Sequence, residues 1–121
     1  MNIGIKILVA LIAFEHLFIL WIEMFAWTTM GKKTFAFMEE DLFDKTKGLA
    51  ANQGLYNGFL AAGLIWSIFI QNSLWSYNIA IFFVGCVVIA GLYGAIKSSK
   101  SILFKQALPA ILVFVALLLT R

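Results

Sequence analysis

The chain has 121 residues, enough for one domain, and 63% of them are hydrophobic while only 12% are charged. Soluble domains are about 45–50% apolar and about 25% charged, so this composition excludes a soluble domain, a disordered chain and a conventional nucleic-acid-binding protein. The net charge of +3 is therefore interpreted as membrane topology, and the single cysteine, Cys86, excludes an internal disulfide and a multi-cysteine zinc site.

Four long apolar segments predict four membrane-spanning helices within one transmembrane domain, residues 1–121. The segments cover about residues 3–27, 49–70, 77–96 and 102–119. Each is near the roughly 20 residues that a helix needs to cross about 30 Å of hydrocarbon, and none has the alternation of a membrane strand. We expect an all-α fold, an integral membrane four-helix bundle with one long cytoplasmic loop.

The first segment carries three ionisable side chains, Glu15, His16 and Glu23, which are costly in lipid. At about 100° per residue these three and Trp27 fall within an arc of about 120°, so this face must meet protein or a wet cavity. His16 and Glu23 are about 10.5 Å apart along the axis, too far for a direct hydrogen bond. We predict that the three ionisable residues are candidate catalytic groups; the alternative is a neutral histidine bonded to a neighbouring helix. Their spacing does not fit a metal site, and no cofactor is expected.

The long loop, residues 28–48, contains apolar residues Phe35, Met38 and Leu42 at helical spacing. This pattern favours either an interfacial helix that covers a cavity mouth or an apolar loop that rests on the membrane. The acidic run Glu39–Asp41 indicates a solvated face, because nothing around it resembles a calcium-binding loop.

The second segment has a polar arc at its start and small residues on its opposite side. The polar residues are Asn52, Gln53, Tyr56 and Asn57. On the other side, Gly54 and Gly58 form a Gly-x-x-x-Gly pattern, which lets another helix approach closely. The pattern predicts packing either within the bundle or between protomers of a homo-oligomer.

The last two segments contribute fewer polar residues. Tyr93 lies near the end of the third segment, and Gln106 lies near the start of the fourth with no charge nearby except Lys105. Pro109 should bend the fourth helix just after its start, because proline lacks the backbone N–H of the helical hydrogen bond. Cys86 is interpreted as an inert buried thiol, since no activating cation is evident.

The distribution of positive charge predicts the topology. Seven lysines lie in or beside two connections: Lys32, Lys33, Lys45, Lys47, Lys97, Lys100 and Lys105. The other side holds only Lys6 and Arg121. By the positive-inside rule, both connections are cytoplasmic and both termini lie outside the inner (plasma) membrane.

Depth along the four segments groups the polar residues in the cytoplasmic half and at the midplane, while the outer half is almost wholly apolar. We therefore predict an intramembrane polar pocket that opens toward the cytoplasm or the inner leaflet. Its predicted ligand-binding residues are Trp27, Gln53, Tyr56, Asn57, Tyr93 and Gln106. Its expected partners are the lipid bilayer and a small hydrophobic ligand.

Several of these residues also carry a family resemblance. They are Glu15-His16, Glu23-Met24-Phe25 with Trp27, the run Asn52-Gln53-Gly54-Leu55-Tyr56-Asn57-Gly58, Gln106, and Pro109-Ala110. Over nearly its whole length the chain resembles the bacterial membrane proteins catalogued as domain of unknown function 1304, which implies a four-helix inner-membrane protein and no established activity. It is more loosely similar to the four-helix membrane folds of DoxX-like proteins and sterol-isomerase relatives; the latter place carboxylates, histidine, asparagine and tryptophan in an intramembrane pocket.

Three functions compete on this pattern. The first is a pocket that binds, and could transform, a small lipid-soluble molecule, with Glu15 or Glu23 as acid or base. The second is a non-catalytic structural membrane subunit whose polar network fixes helix packing. The third is proton-coupled transport through a relay of Glu15, His16 and Glu23, against which the apolar outer half counts.

Overall fold

The computed structural model describes residues 1–121, and its secondary structure is all helical. The elements are α1 (Ile3–Phe25), α2 (Met30–Thr34), α3 (Glu40–Lys45), α4 (Lys47–Phe69), α5 (Ser73–Lys97), a π-helical turn (Leu103–Ala107) and α6 (Leu108–Thr120). All four long helical stretches differ by a few residues from the bounds expected from the sequence. α1 ends at Phe25, and α5 begins at Ser73 because the Asn72 side chain accepts a hydrogen bond from the Trp75 N–H at 3.1 Å.

Three helical stretches are long and apolar enough to cross a membrane: α1, α5, and the π-helical turn continued by α6. Large apolar side chains are exposed along all of them, as expected for surfaces in contact with lipid. The chain is therefore a membrane protein by length and composition. α4 has 23 residues, but Asn52, Gln53 and Asn57 make its first half more polar, so a fourth crossing stays a prediction.

The chain divides into two compact units. The terminal unit comprises Met1–Ala13 and Leu60–Arg121, and the central unit comprises Phe14–Phe59. The apolar core of the terminal unit is formed by Ile5, Val9, Ile12, Ala13, Leu64, Tyr77, Ala80, Val84, Val87, Ala110, Val113 and Leu117. The four long helical stretches all contribute to this core, which buries one face of each.

Polar contacts inside the terminal unit join its helices. The buried Ser76 hydroxyl donates to the Ser67 carbonyl at 2.7 Å, which links α5 to α4. The Arg121 guanidinium donates twice to Asn78 Oδ1, at 2.7 and 3.2 Å, which ties the carboxyl terminus to α5. Each bond satisfies polar groups within the helical frame.

α5 packs closely on the π-helical turn at Gly91. A Cβ at this glycine would lie 2.8 Å from the Ala107 backbone, closer than a real side chain allows. The turn itself precedes Pro109, which cannot donate to the Lys105 carbonyl because it has no N–H. The sequence predicted a bend at the start of this helix, and the local departure from α geometry lies immediately before the proline.

In the central unit, the long loop packs against the end of α1 and the start of α4. Trp27 packs on Phe43 with ring centroids 4.9 Å apart and on Phe35 at 5.4 Å. We call these three residues, with Ile22 and Ala50, the aromatic cap. The loop is not one interfacial helix over Phe35 to Leu42: α2 ends before Phe35, and the chain turns so that Phe35 and Phe43 both reach Trp27.

Candidate functional site

α1 and α4 approach closely in the central unit because α4 presents glycines to α1. A Cβ at Gly54 would lie 2.7 Å from Met24 Cγ and 3.0 Å from Glu23 Cβ, and a Cβ at Gly58 would lie 2.7 Å from Leu20 Cδ1. The sequence predicted that the Gly54–Gly58 face of α4 packs either within the bundle or between protomers. In the structure, α1 of the same chain lies against this face. Association of two copies stays a prediction.

This close approach brings Glu23 and Asn57 into contact. The Asn57 amide donates to Glu23 Oε1 at 2.5 Å and to the Gln53 carbonyl at 3.4 Å. Both residues are only 8% exposed. The bond joins α1 to α4 directly and gives a buried carboxylate a charge-assisted donor. The Glu23 carboxylate therefore has a structural partner.

Glu15 lies two turns earlier on α1 and has a different environment. Its residue is half-buried, and its Oε1 atom is buried and accepts no hydrogen bond. The structure's lysine–carboxylate pairs, Lys32 with Glu40 and Lys45 with Asp41, both lie in the long loop at 3.7 Å. A buried acceptor without a partner costs about 1–3 kcal/mol, so this oxygen is a position where a donor from outside the chain would be stabilising.

His16 follows Glu15 on α1 and is completely buried. Its position is about 100° around the helix from Glu15, toward the line of Glu23. The three candidate catalytic residues therefore lie in one unit on α1, and Glu23 among them bonds another candidate site residue, Asn57.

Trp27 belongs to the aromatic cap. Its indole Nε1 donates to Thr46 Oγ1 at 3.0 Å, and the Thr46 hydroxyl donates to the Leu42 carbonyl at 2.7 Å. Along α4, Ala50 in the cap, Gly54 and Asn57 follow one another at intervals of about 6 and 4.5 Å. The cap therefore lies one to two turns from the Glu23 carboxylate.

The remaining predicted ligand-binding residues are spread over both units. Gln53 and Tyr56 are exposed on α4 in the central unit. Tyr93, which is 64% exposed on α5, and the half-buried Gln106 of the π-helical turn belong to the terminal unit. Among the predicted residues, Asn57 contacts both Glu23 and the Gln53 carbonyl. The joint role of all these residues in a pocket stays a prediction.

Sequence reasoning missed Thr46 and Phe43. Thr46 is a single threonine between two lysines, and no spacing rule connects it with Trp27, nineteen positions earlier. Phe43 is one of several aromatic residues in the loop, and only the packing on Trp27 distinguishes it. The available signal was compositional: a loop rich in aromatic residues next to a tryptophan at a helix end.

The chain is similar to known proteins over nearly its whole length. It is 33% identical over 120 residues to "Uncharacterized protein YpaA" of Lactococcus lactis subsp. lactis (strain IL1403), a match that covers 96% of this chain and 98% of that protein. No solved structure matches the chain. The family model described as "Protein of unknown function (DUF1304)" matches residues 10–118, which confirms the resemblance noted in the sequence. The chain therefore belongs to the DUF1304 family.

Proposed function

We propose that this chain is a multi-pass inner-membrane protein that binds a small lipid-soluble molecule at the carboxylate face of α1, with Glu15 as the residue that bonds the polar group of the ligand. The observation that carries the proposal is the buried Glu15 Oε1 atom, which accepts no hydrogen bond. The activity proposed is binding, and transformation of the ligand is not required by it.

The physical argument compares two carboxylates on one apolar helix. Glu23 has Asn57 as a donor, whereas Glu15 Oε1 has none. Placing a charged side chain at the centre of a membrane helix costs roughly 2.5–3.5 kcal/mol of insertion free energy. This cost falls when a hydrogen-bond donor reaches the carboxylate. A ligand that brings a donor to Glu15 would therefore gain binding energy from this oxygen.

The surroundings of Glu15 favour a ligand that enters from the lipid. Phe14 and Phe18, on either side of Glu15 in sequence, are both exposed on α1. Apolar rings beside a polar group are the usual lining of a small-molecule site. In this proposal the Glu23–Asn57 bond positions α1 against α4, and His16 lies beside the ligand-binding carboxylate.

The test compares the molecules that remain bound to the purified full chain. Wild type, Glu15→Gln and Glu39→Gln are extracted from membranes with their native lipid, and bound small molecules are measured by mass spectrometry. Glu39 is exposed in the loop and serves as the control. We expect one molecule to be retained by wild type and Glu39→Gln and lost from Glu15→Gln, at similar melting temperatures. The proposal would be refuted if all three proteins retained the same small molecules in equal amounts.

The Glu23–Asn57 bond and the aromatic cap also favour a second function, that of a non-catalytic structural membrane subunit. In that function the polar groups serve helix packing alone. It predicts that Glu15→Gln leaves the extract unchanged and that Glu23→Gln lowers the melting temperature. The extract of Glu15→Gln therefore separates the two functions, because both of them expect a lower melting temperature for Glu23→Gln.

A further inference from the structure

We propose that the ligand bound at Glu15 is a lipophilic primary amine, whose ammonium group pairs with the Glu15 carboxylate beside the Phe18 ring. This inference rests on the proposed function and names the class of ligand. It is carried by the charge around Glu15, by the aromatic side chains next to it and by its position in α1.

The first step concerns charge. No lysine or arginine occurs between Lys6 and Lys32, and Lys6 is nine residues from Glu15, or about 13.5 Å along the helix. The loop lysines that form ion pairs, Lys32 and Lys45, do so with Glu40 and Asp41. A ligand ammonium would supply both the missing donor and the compensating charge. Charge-assisted bonds of this kind are roughly twice as strong as neutral ones.

The second step concerns aromatic rings. Phe18 is three residues after Glu15, so the two side chains share a helix face with Cβ atoms about 5–6 Å apart. Phe18 packs on Trp21 with ring centroids 5.9 Å apart, and the two side chains are 45% and 44% exposed. An ammonium within about 6 Å of a ring face is attracted by its quadrupole. The exposed rings also offer apolar contact to an alkyl chain.

The third step concerns how such a ligand reaches Glu15. The residue is at the middle of α1, between a face that holds the buried His16 and Glu23 and a face that holds the exposed Phe14 and Phe18. A primary amine can cross lipid as the neutral R–NH2. At Glu15 it takes the proton of the carboxylic acid, which leaves R–NH3⁺ and a carboxylate, so charge and atoms balance. A quaternary ammonium has no neutral form and no N–H donor, and it should bind less well.

The experiment measures binding of tritiated dodecylamine to the full chain in phosphatidylcholine nanodiscs, with empty nanodiscs subtracted. Unlabelled dodecanol and dodecyltrimethylammonium compete with the labelled amine. The variants are Glu15→Gln, Glu15→Asp, Phe18→Leu and the loop control Glu39→Gln. The Phe18 side chain is 45% exposed, so we expect its substitution to leave folding intact and to keep the proposal testable if Glu15→Gln is unstable.

We expect saturable binding by wild type and Glu39→Gln, at least roughly tenfold weaker binding by Glu15→Gln, and roughly threefold weaker binding by Phe18→Leu. Glu15→Asp should bind better than Glu15→Gln because it keeps a carboxyl group that can give its proton to the amine. Both competitors should be at least roughly tenfold weaker than unlabelled dodecylamine.

Two results would overturn the inference, and they differ in what they say about the proposed function. If dodecanol competes as well as dodecylamine and both depend on Glu15, the amine class is wrong but Glu15 remains the binding residue. If dodecylamine binds equally to wild type, Glu15→Gln and Phe18→Leu, or binds none of them above empty nanodiscs, Glu15 does not take an amine. In that case the native extracts decide whether it takes another molecule.

Discussion

Two glutamates on α1, Glu15 and Glu23, are two turns apart and have opposite hydrogen-bonding environments. Asn57 reaches Glu23 Oε1 from α4, while Glu15 Oε1 is buried and accepts nothing. Hydrogen bonding from a neutral amide stabilises a buried carboxylate and fixes the register of two helices. The same residue type therefore has two roles on one helix, one in packing and one in the proposed ligand site.

The packing role predicts the effect of truncating Asn57. Asn57→Ala leaves Glu23 without its donor, and the cost of an unsatisfied buried charged group is about 1–3 kcal/mol or more. The melting temperature in detergent should fall by several degrees. Asn52→Ala, at an exposed position of the same helix, is the matched control and should leave the melting temperature nearly unchanged. Equal losses in both variants would show that the bond to Glu23 is not what matters.

The pairing of Glu23 with Asn57 also marks the limit of the sequence at the residue scale. A helical wheel places each of them on a polar arc of its own helix, but it does not give the relative register of two helices. The structure sets that register through Gly54, whose missing side chain lets Glu23 and Met24 approach. Tyr93 illustrates the converse: its depth along the third segment groups it with the other polar residues, yet it is mostly exposed near the end of α5.

At the scale of elements, two of the four glycines of α4, Gly48 and Gly54, have different environments, and this difference gives a matched pair of substitutions. A Cβ at Gly54 would contact α1 at 2.7 Å, whereas a Cβ at Gly48 meets nothing within 4 Å. Gly48→Ala should therefore stabilise the chain by up to about 1 kcal/mol through helix propensity. Gly54→Ala should lower the melting temperature and disturb the size-exclusion profile. A stabilising Gly54→Ala would mean that α1 and α4 do not pack at this point.

The aromatic cap depends on a side-chain bond as well as on apolar contact. Thr46→Val keeps the shape of the residue but removes the acceptor of the Trp27 indole N–H, which should cost about 1 kcal/mol. Hydrogen exchange in residues 28–46 should then become faster. Thr34→Val in α2 is the control, and its exchange should match wild type. No difference between the two variants would show that apolar packing alone holds the cap.

The elements themselves were predictable to different degrees. Length and hydropathy suffice for α1, α5 and the last span, because lipid requires long runs of apolar residues. The break between α2 and α3 was not predictable, because Phe35, Met38 and Leu42 also fit one helix. Packing of Phe35 and Phe43 on one tryptophan decides the local structure, and such tertiary contact is invisible to periodicity.

At the scale of the whole molecule, the topology depends on whether α4 crosses the membrane. With four crossings both termini lie on one side, and with three they lie on opposite sides. The lysine distribution predicts both termini outside and residues 28–48 inside. The test uses a chain in which Cys86 is replaced by serine and one new cysteine is introduced. In intact cells, a cysteine introduced at the carboxyl terminus of this chain should react with a membrane-impermeant reagent. A cysteine at position 40 should be protected.

Two labelling outcomes would contradict this topology. Labelling at position 40 with a protected carboxyl terminus would reverse the orientation. Labelling of both positions, or of neither, would reduce the crossings to three, because two crossings would then separate position 40 from the carboxyl terminus. The second result would place the polar first half of α4, with Gln53 and Asn57, outside the hydrocarbon, and it would remove the reason to expect a pocket of all the predicted residues.

The most direct test of the central claim is a crystal structure of the full chain grown from lipid with native extract present. We predict a non-protein donor at roughly 3 Å from Glu15 Oε1, attached to an apolar molecule that lies along Phe14 and Phe18, with the Glu23–Asn57 bond unchanged. A structure in which Glu15 Oε1 accepts a hydrogen bond from the protein itself, with only lipid tails along these rings, would contradict the ligand site and favour the structural subunit.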